Sequence, residues 1–316
     1  MTRPSLGVLI TYHDERDLLR ECLESVLSQD PPPDEVLVYD DASLAPAEGY
    51  LPSGAAVRVI RGEINHGPAA GRNVLLRAAQ AEYIHFHDAD DLFHPAWSRR
   101  VRDTIERTAV DVVFTEVQTY VGDQLASQHT LGLASLATVG DLVSFSLRGV
   151  LLTPSGTYRR STVLAVGGYR EGLWQSEDFD FHVRLAASGI NYAVVPEPLV
   201  IQRVRPGGRS QNGWEVWTSK VQSIEALSRE LPSRYRVELA DAAVRAGAQL
   251  LRLGARSEAR SAFELARRLG PPAFHGQRPV YRFLGLTLGP ERTERLAALY
   301  RQALPVGLRR QLASWT

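Results

Sequence analysis

The stretch HFHDADDLFHP, His85–Pro95, holds the residues best suited to chemistry. Asp88 and Asp90 are separated by one residue, and Asp91 follows directly. Two carboxylates so spaced at a strand end can hold a hard divalent ion through oxygen, leaving positions for phosphate oxygens and water. Magnesium in particular keeps few protein ligands. Taken alone the spacing is a weak sign, because acids are common in turns. Three other polar groups accompany it: Thr11–Asp14, the pair Asp40–Asp41, and Glu177, Asp178 and Asp180. The last three open a helical pattern, where the helix dipole favours acids whatever their role. His85 and His87 alternate with Ile84 and Phe86 and so share one face of a strand. With His94 they suggest zinc, but a metal-bound imidazole requires an exact cluster, and buried, hydrogen-bonded histidines are expected.

The elements around these residues alternate. Leu6–Thr11, Glu35–Tyr39, Val57–Ile60 and Tyr83–His87 read as strands. Glu15–Gln29 and Ala69–Gln80 carry apolar residues at helical spacing. Strands joined by helices of this length imply βαβ units and a mostly parallel α/β sheet with flanking helices. In such sheets the ligand crevice lies outside the carboxyl ends of the strands. Thr11–Asp14, Asp40–Asp41 and Asp88–Asp91 would converge there. Further on, Asp111–Thr119 is a strand, Gly122–Gly156 is irregular, and Ser161–Val166 is a short helix closed by Gly167 and Gly168. Glu177–Ser188 is an amphipathic helix, and Asn191–Val195 a strand ended by Pro196 and Pro198. From Trp214 onward Val216–Glu230, Arg234–Leu253, Ser257–Leu269 and Glu291–Ala303 are all helical in pattern. The boundary falls after residue 211, giving a catalytic domain 1–211 and a helical domain 212–316.

With 316 residues, 44% hydrophobic and 23% charged, the chain can bury a full core. Its net charge is zero, which gives no general support for a nucleic-acid partner. The single cysteine, Cys22, excludes an internal disulfide and reads as a small buried hydrophobe in a reducing compartment. No signal peptide is evident, and no run approaches the roughly 20 apolar residues of a membrane span. A cytoplasmic location is expected, with the inner membrane face as an alternative.

A series of motifs in order carries a resemblance. ITYHDE closes the first strand, LxSVLxQ is Leu23–Gln29, and the strand ending in DDxS is Val36–Ser43. Asn65–Asn73 matches NxGxxxARN with Gly71 in place of alanine, Tyr83–Asp91 is a strand ending in DxDD, and Gly167–Tyr169 with Glu177–Asp178 supply GGY and ED. Over roughly Leu6 to Arg205 the sequence resembles the inverting GT-A glycosyltransferases of family 2. The resemblance implies a nucleoside-diphosphate sugar donor, a UDP-sugar taken first, and a divalent metal, manganese or magnesium. It implies that Thr11, His13 and Asp41 line the nucleoside pocket, with Asp14 in the same nucleotide-sugar site. Arg72 would lie near the ribose or diphosphate, Asp88 would face the ribose, and Asp90 would ligate the metal. Asp178 would be the general base, with Asp180 in reserve, and Trp174 and Glu177 would lie on the acceptor side. The acceptor would be the hydroxyl of a glycan, a lipid-linked sugar or another molecule, in bacterial envelope, exopolysaccharide or glycoconjugate synthesis.

Departures qualify the resemblance. His13 replaces a tyrosine, and the QxxRW motif of processive synthases is missing, which favours one sugar per encounter. Arg203, Arg205 and Arg209 stand where many relatives carry a histidine, and could meet a diphosphate. The tail Glu291–Thr316 has arginines among leucines. It reads first as a surface packing on the catalytic domain or a second subunit, and second as a helix on an anionic membrane. Two other functions compete. A nucleotidyltransferase would need a Gly-rich, Arg-containing loop after the first strand, which ITYHDE lacks. A non-catalytic nucleotide-sugar or glycan binder would not need both DxD and ED.

Overall fold

The computed structural model describes residues 3–136, 141–149, 151–205, 207–208, 211–274 and 279–303, with side chains up to residue 297. Arg209 and residues 304–316 of the tail lie outside these, as does the side chain of Arg301. The chain divides into two compact units, Met1–Gln211 and Asn212–Thr316.

The first unit opens with β1 (Leu6–Tyr12), α1 (Asp17–Leu27), β2 (Glu35–Asp40), β3 (Arg58–Arg61), α2 (Pro68–Ala78) and β4 (Tyr83–Asp88). These strands pair in parallel in the order β3-β2-β1-β4. β1 is apolar on both faces, with Leu6, Val8, Leu9 and Ile10 at 1% exposure or less. That is the signature of a parallel strand covered on both sides, each such side chain stabilising the fold by about 1.5–3 kcal/mol. Gly67 at φ 83 and Pro68 at the first helical position start α2 where the chain must turn sharply. Because β2 and β4 flank β1, their register sets Tyr39, Thr11 and Asp88 side by side at the carboxyl ends. This is the point where strand order reverses, and a crevice opens there.

The second half of the sheet departs from simple alternation. It contains β5 (Leu92–Phe93), α3 (Trp97–Thr108), β6 (Val112–Val121), β7 (Gln124–Ser127) and α4 (Leu142–Leu147). β8 (Gly156–Arg159), α5 (Arg160–Ala165), α6 (Glu177–Ala187) and β9 (Tyr192–Val204) follow. β8 lies antiparallel between β4 and β6, and β9 runs parallel to β6. The expected stop at Pro196 and Pro198 does not occur: β9 continues for 13 residues. The register shifts twice around Glu116, pairing Thr115 with Val195 and Glu116 with Pro198. A bulge tolerates proline because it already lacks a regular ladder partner. Continuation to Val204 is what brings Gln202 and Arg203 to the crevice. α3 escaped the sequence reading because its exposed faces are dense with charge, yet Trp97, Val101 and Ile105 form its buried stripe.

His85 and His87 are core residues, both at 0% exposure. The Nδ1 of His85 lies 3.1 Å from Thr157 Oγ1. His87 stacks on Phe93 at 4.1 Å, and Phe93 on Trp97 at 3.9 Å. Among the described residues no group of three or more His, Cys, Asp or Glu side chains is set to hold a metal. Burial holds His87 down to about 4 and His182 to about 3, and drives His85 well below its ordinary value. In the unfolded chain imidazoles titrate at about 6.5. The neutral forms therefore stabilise the fold fully above that pH. Stability falls as pH drops from about 6.5 toward 4, where the unfolded chain binds protons that the folded one excludes. Thermal melts across this range should show the loss, and His87→Phe should make it shallower. An unchanged slope in the variant would contradict this account.

The second unit is helical: α7 (Gly213–Glu230), α8 (Arg236–Arg252), α9 (Arg256–Leu269), α10 (Pro279–Leu288) and α11 (Pro290–Ala303). α8 and α9 pack through small residues, and a Cβ on Gly247 would come within 2.8 Å of the Phe263 ring. Among the described residues no helix is long and apolar enough to cross a membrane.

Candidate active site

A crevice of about 630 Å³ lies at the carboxyl ends of β1, β2 and β4. Its size suits a small-molecule ligand. Thr11, His13, Asp41, Arg72, Asp88, Asp90, Trp174, Glu177 and Asp178 all line it.

At the β2 end the two aspartates divide their work. Asp40 is fully buried, accepting from the amides of Ser43 and Ala47 and from Arg61 at 2.8, 3.0 and 2.6 Å. It shapes the loop rather than the pocket. Asp41 accepts from the amides of His66 and Gly67 at 2.9 and 2.8 Å, tying the start of α2 to the end of β2. His13 packs beside it, with Nδ1 2.9 Å from the Asp41 carbonyl and Nε2 3.0 Å from Asn65 Nδ2. Asp14 departs from expectation and is not among the lining residues. Its carboxylate accepts from the amides of Ala45 and Leu44 at 2.8 and 3.2 Å, and those bonds hold its pKa down. Glu15 lines the crevice instead, raised by burial and by the charge of Asp90.

The β4 end is a concentration of negative charge. Burial and the Asp88 charge both raise Asp90, while burial, Asp90 and Asp88 raise Asp91 further. Carboxylates pushed together in this way favour a bound cation. β9 and the residue after it supply two: Arg205 donates to Asp90 Oδ2 at 2.8 Å, and the Arg203 side chain donates to the Asp90 carbonyl and to Glu21. The Arg203 amide donates to Asp91 Oδ1 at 2.9 Å. The donor set is all oxygen, with Asp90 lining the crevice and its Oδ2 paired to Arg205. It suits a hard divalent cation that completes its coordination with phosphate and water.

The third wall comes from α6 and the loop before it. Asp178 lines the crevice in the helix's first turn, its Oδ1 accepting from the Phe179 amide at 2.7 Å. Asp180, the reserve candidate, is not among the lining residues: it is fully buried between Arg170 at 3.0 Å and Arg184 at 2.7 Å. Glu177 reaches the crevice, but its carboxylate is held by Arg72 at 2.6 Å. The side chain of Trp174 is half-exposed and lies against Gly67, where a Cβ would come within 3.2 Å of the indole. Leu152, Thr153 and Pro154 also face the crevice, from the stretch that gave no clear pattern in sequence.

Asn73 ties the ARN and GGY motifs to each other. Its side chain donates to the Tyr169 carbonyl at 2.8 Å and accepts from the Tyr169 amide at 2.9 Å. Gly168 sits at φ +67, and a Cβ there would lie 2.4 Å from Asn73 Oδ1. Gly168→Ala should therefore break the clasp and cost about 2 kcal/mol or more of stability, read by urea unfolding. An unchanged unfolding midpoint would refute that reading. The same logic marks Gly71, where a Cβ would lie 2.7 Å from the Tyr39 ring. The departure from alanine in this motif leaves room for a tyrosine.

Residues 7–161 match the family model described as Glycosyl transferase family 2. The succinoglycan biosynthesis protein ExoU of Rhizobium meliloti is 28% identical over 204 residues, 60% of this chain and 58% of that protein. The chain spans 40% and 61% of the length of the first two curated relatives it matches. In fold, it is similar to S. aureus TarS 1–349 in complex with UDP-GlcNAc, with a TM-score of 0.69 at 18% identity, covering 96% of this chain and 93% of that one. The mannosyltransferase PcManGT of Pyrobaculum calidifontis, in complex with GDP-Man and Mn2+, gives 0.59 at 17% identity, covering 95% and 87%. The mixed, mostly parallel sheet with its reversal at β1 and β4 is that of the GT-A fold, and residues 7–161 of the chain match glycosyl transferase family 2.

Proposed function

We propose that this protein transfers a sugar from a nucleoside-diphosphate donor, a UDP-sugar first among candidates, to an acceptor hydroxyl with inversion at the anomeric carbon. The observation that carries the reading is the meeting of three groups in one crevice: the Asp88–Asp91 acids, Arg203 and Arg205 at the end of β9, and the carboxylate of Asp178. UDP-GlcNAc in TarS and GDP-Man with Mn2+ in the mannosyltransferase support a donor of this class and a divalent metal. ExoU supports a place in polysaccharide synthesis.

Each residue then has a task. His13, Asn65 and Asp41 form the nucleoside end, with Thr11 and Asp88 beneath the ribose. Asp90 would hold a divalent cation, which when bound offsets the charge gathering on the departing diphosphate. Arg203 and Arg205 add fixed positive charge on the same side. Asp178 accepts the proton of the acceptor hydroxyl as its oxygen attacks the anomeric carbon. The bond from that carbon to the diphosphate oxygen breaks, and its electron pair leaves with the nucleoside diphosphate. One in-line displacement inverts the centre. Trp174 offers an aromatic face to an acceptor sugar at the rim.

Slow hydrolysis of the donor tests this without knowledge of the acceptor. Proton NMR at early times should record the free sugar with inverted anomeric configuration and an equal amount of nucleoside diphosphate. Release with retained configuration would overturn the single-displacement reading.

A further inference from the structure

Arg72 binds two walls of the crevice together. Its guanidinium is 3% exposed, with Nη2 2.6 Å from Asp88 Oδ1 and Nη1 2.6 Å from Glu177 Oε1. The Tyr169 ring lies 5.2 Å from its carbon, and its buried Nε has no hydrogen-bond partner among the described residues. Burial works against the charge, but Asp88 and Glu177 outweigh it and hold the pKa up. Two carboxylates from distant parts of the chain thus share one buried cation.

The N-terminus of α6 is tied to this guanidinium through Glu177. Ser176, its N-cap residue, sits at φ 55 in the left-handed region and makes no side-chain capping bond. Helix starts leave four amides without intrahelical partners. The Phe179 amide donates to Asp178 Oδ1 at 2.7 Å, and ion pairs brace the same turn. Asp180 anchors the turn to Arg170 and Arg184, and Glu177 anchors it to Arg72. Only the Glu177 pair continues to the β4 side of the crevice. Asp178 lies between the two anchors.

We propose that Arg72 is a positioning residue that couples nucleotide binding at Asp88 to the setting of Asp178, through a shared Asp88–Arg72–Glu177 ion triad. The proposal rests on the donor-site reading above. A ribose hydroxyl donating to Asp88 satisfies part of that carboxylate and lets the guanidinium settle toward Glu177, firming the first turn of α6. Conversely, neutralising Glu177 gives Arg72 wholly to Asp88, which becomes a poorer acceptor for the ligand. Coupling of this kind is reciprocal, so it can be read from binding alone.

The test is a double-mutant cycle on nucleotide affinity. Glu177→Gln, Arg72→Met and the double variant would be titrated by calorimetry with UDP and GDP in the presence of manganese, beside the unmodified protein. Glu177→Gln should weaken binding about fivefold or more, although Glu177 has no assigned contact with the nucleotide. Adding it to Arg72→Met should change nothing further, because the relay is already cut. Arg72→Lys, whose single ammonium cannot span both carboxylates, replaces Arg72→Met if that variant does not fold. A structural role alone would lower the melting temperature of Glu177→Gln and leave its nucleotide affinity at the unmodified value. That result, or effects that simply multiply in the double variant, would overturn the proposal. Failure of the unmodified protein to bind any nucleotide would instead remove the donor-site reading, and this inference with it.

Discussion

Asp178→Asn should lower sugar transfer by about a hundredfold to ten-thousandfold while nucleotide affinity stays within about twofold of the original. The amide keeps the shape of the side chain but cannot take the proton of the acceptor hydroxyl. In the proposed function the donor is held by other walls of the crevice, so the loss should fall on kcat and on kcat/KM equally. Asp180→Asn forms the contrast. That carboxylate is shut between two arginines, and its loss should lower stability through an uncompensated buried charge pair. Activity assays with thermal melts on both variants separate the roles. Normal turnover in Asp178→Asn would mean that another group accepts the proton.

Asp90→Ala carries the second large effect, and its sign depends on the metal. With manganese present, the unmodified protein should bind nucleoside diphosphate at least about tenfold more tightly than the variant, because in the proposed function Asp90 would supply much of the protein's hold on the cation. Without metal the order should narrow or reverse. Removing Asp90 takes one negative charge from a crowded group and frees Arg205, now paired to it at 2.8 Å, to meet the diphosphate. Calorimetry with and without manganese reads both halves. Equal manganese enhancement in the two proteins would show that the cation is held elsewhere.

Much of the donor side was legible in sequence because parallel strands announce themselves. β1, β2 and β4 are short, mainly apolar runs, β2 and β4 ending in acids, and their order brings those ends together. What periodicity could not supply was direction. Asp178 and Asp180 stand two residues apart, about 200° around a helix, so one meets the crevice and the other the core. Likewise Asp14 and Glu15 are neighbours, yet Asp14 turns to the amides of the Leu44–Ala45 loop and Glu15 to the crevice. The far side was harder for another reason. Two prolines concealed the extension of β9, since the bulge that accommodates them is set by its partner β6. Arg203 and Arg205 therefore gained their positions from tertiary pairing rather than from local pattern. The Arg72 triad joins residues 16 and 105 positions apart, beyond the reach of any local signal.

The central claim is that the crevice receives a nucleoside diphosphate together with a divalent cation. Calorimetric titration of UDP, GDP, ADP and dTDP into the purified protein, each with and without manganese, tests it most directly. The account predicts one-to-one binding of at least one of these nucleotides, strengthened by manganese and lost in Asp90→Ala. A folded protein that binds none of them under either condition would contradict it.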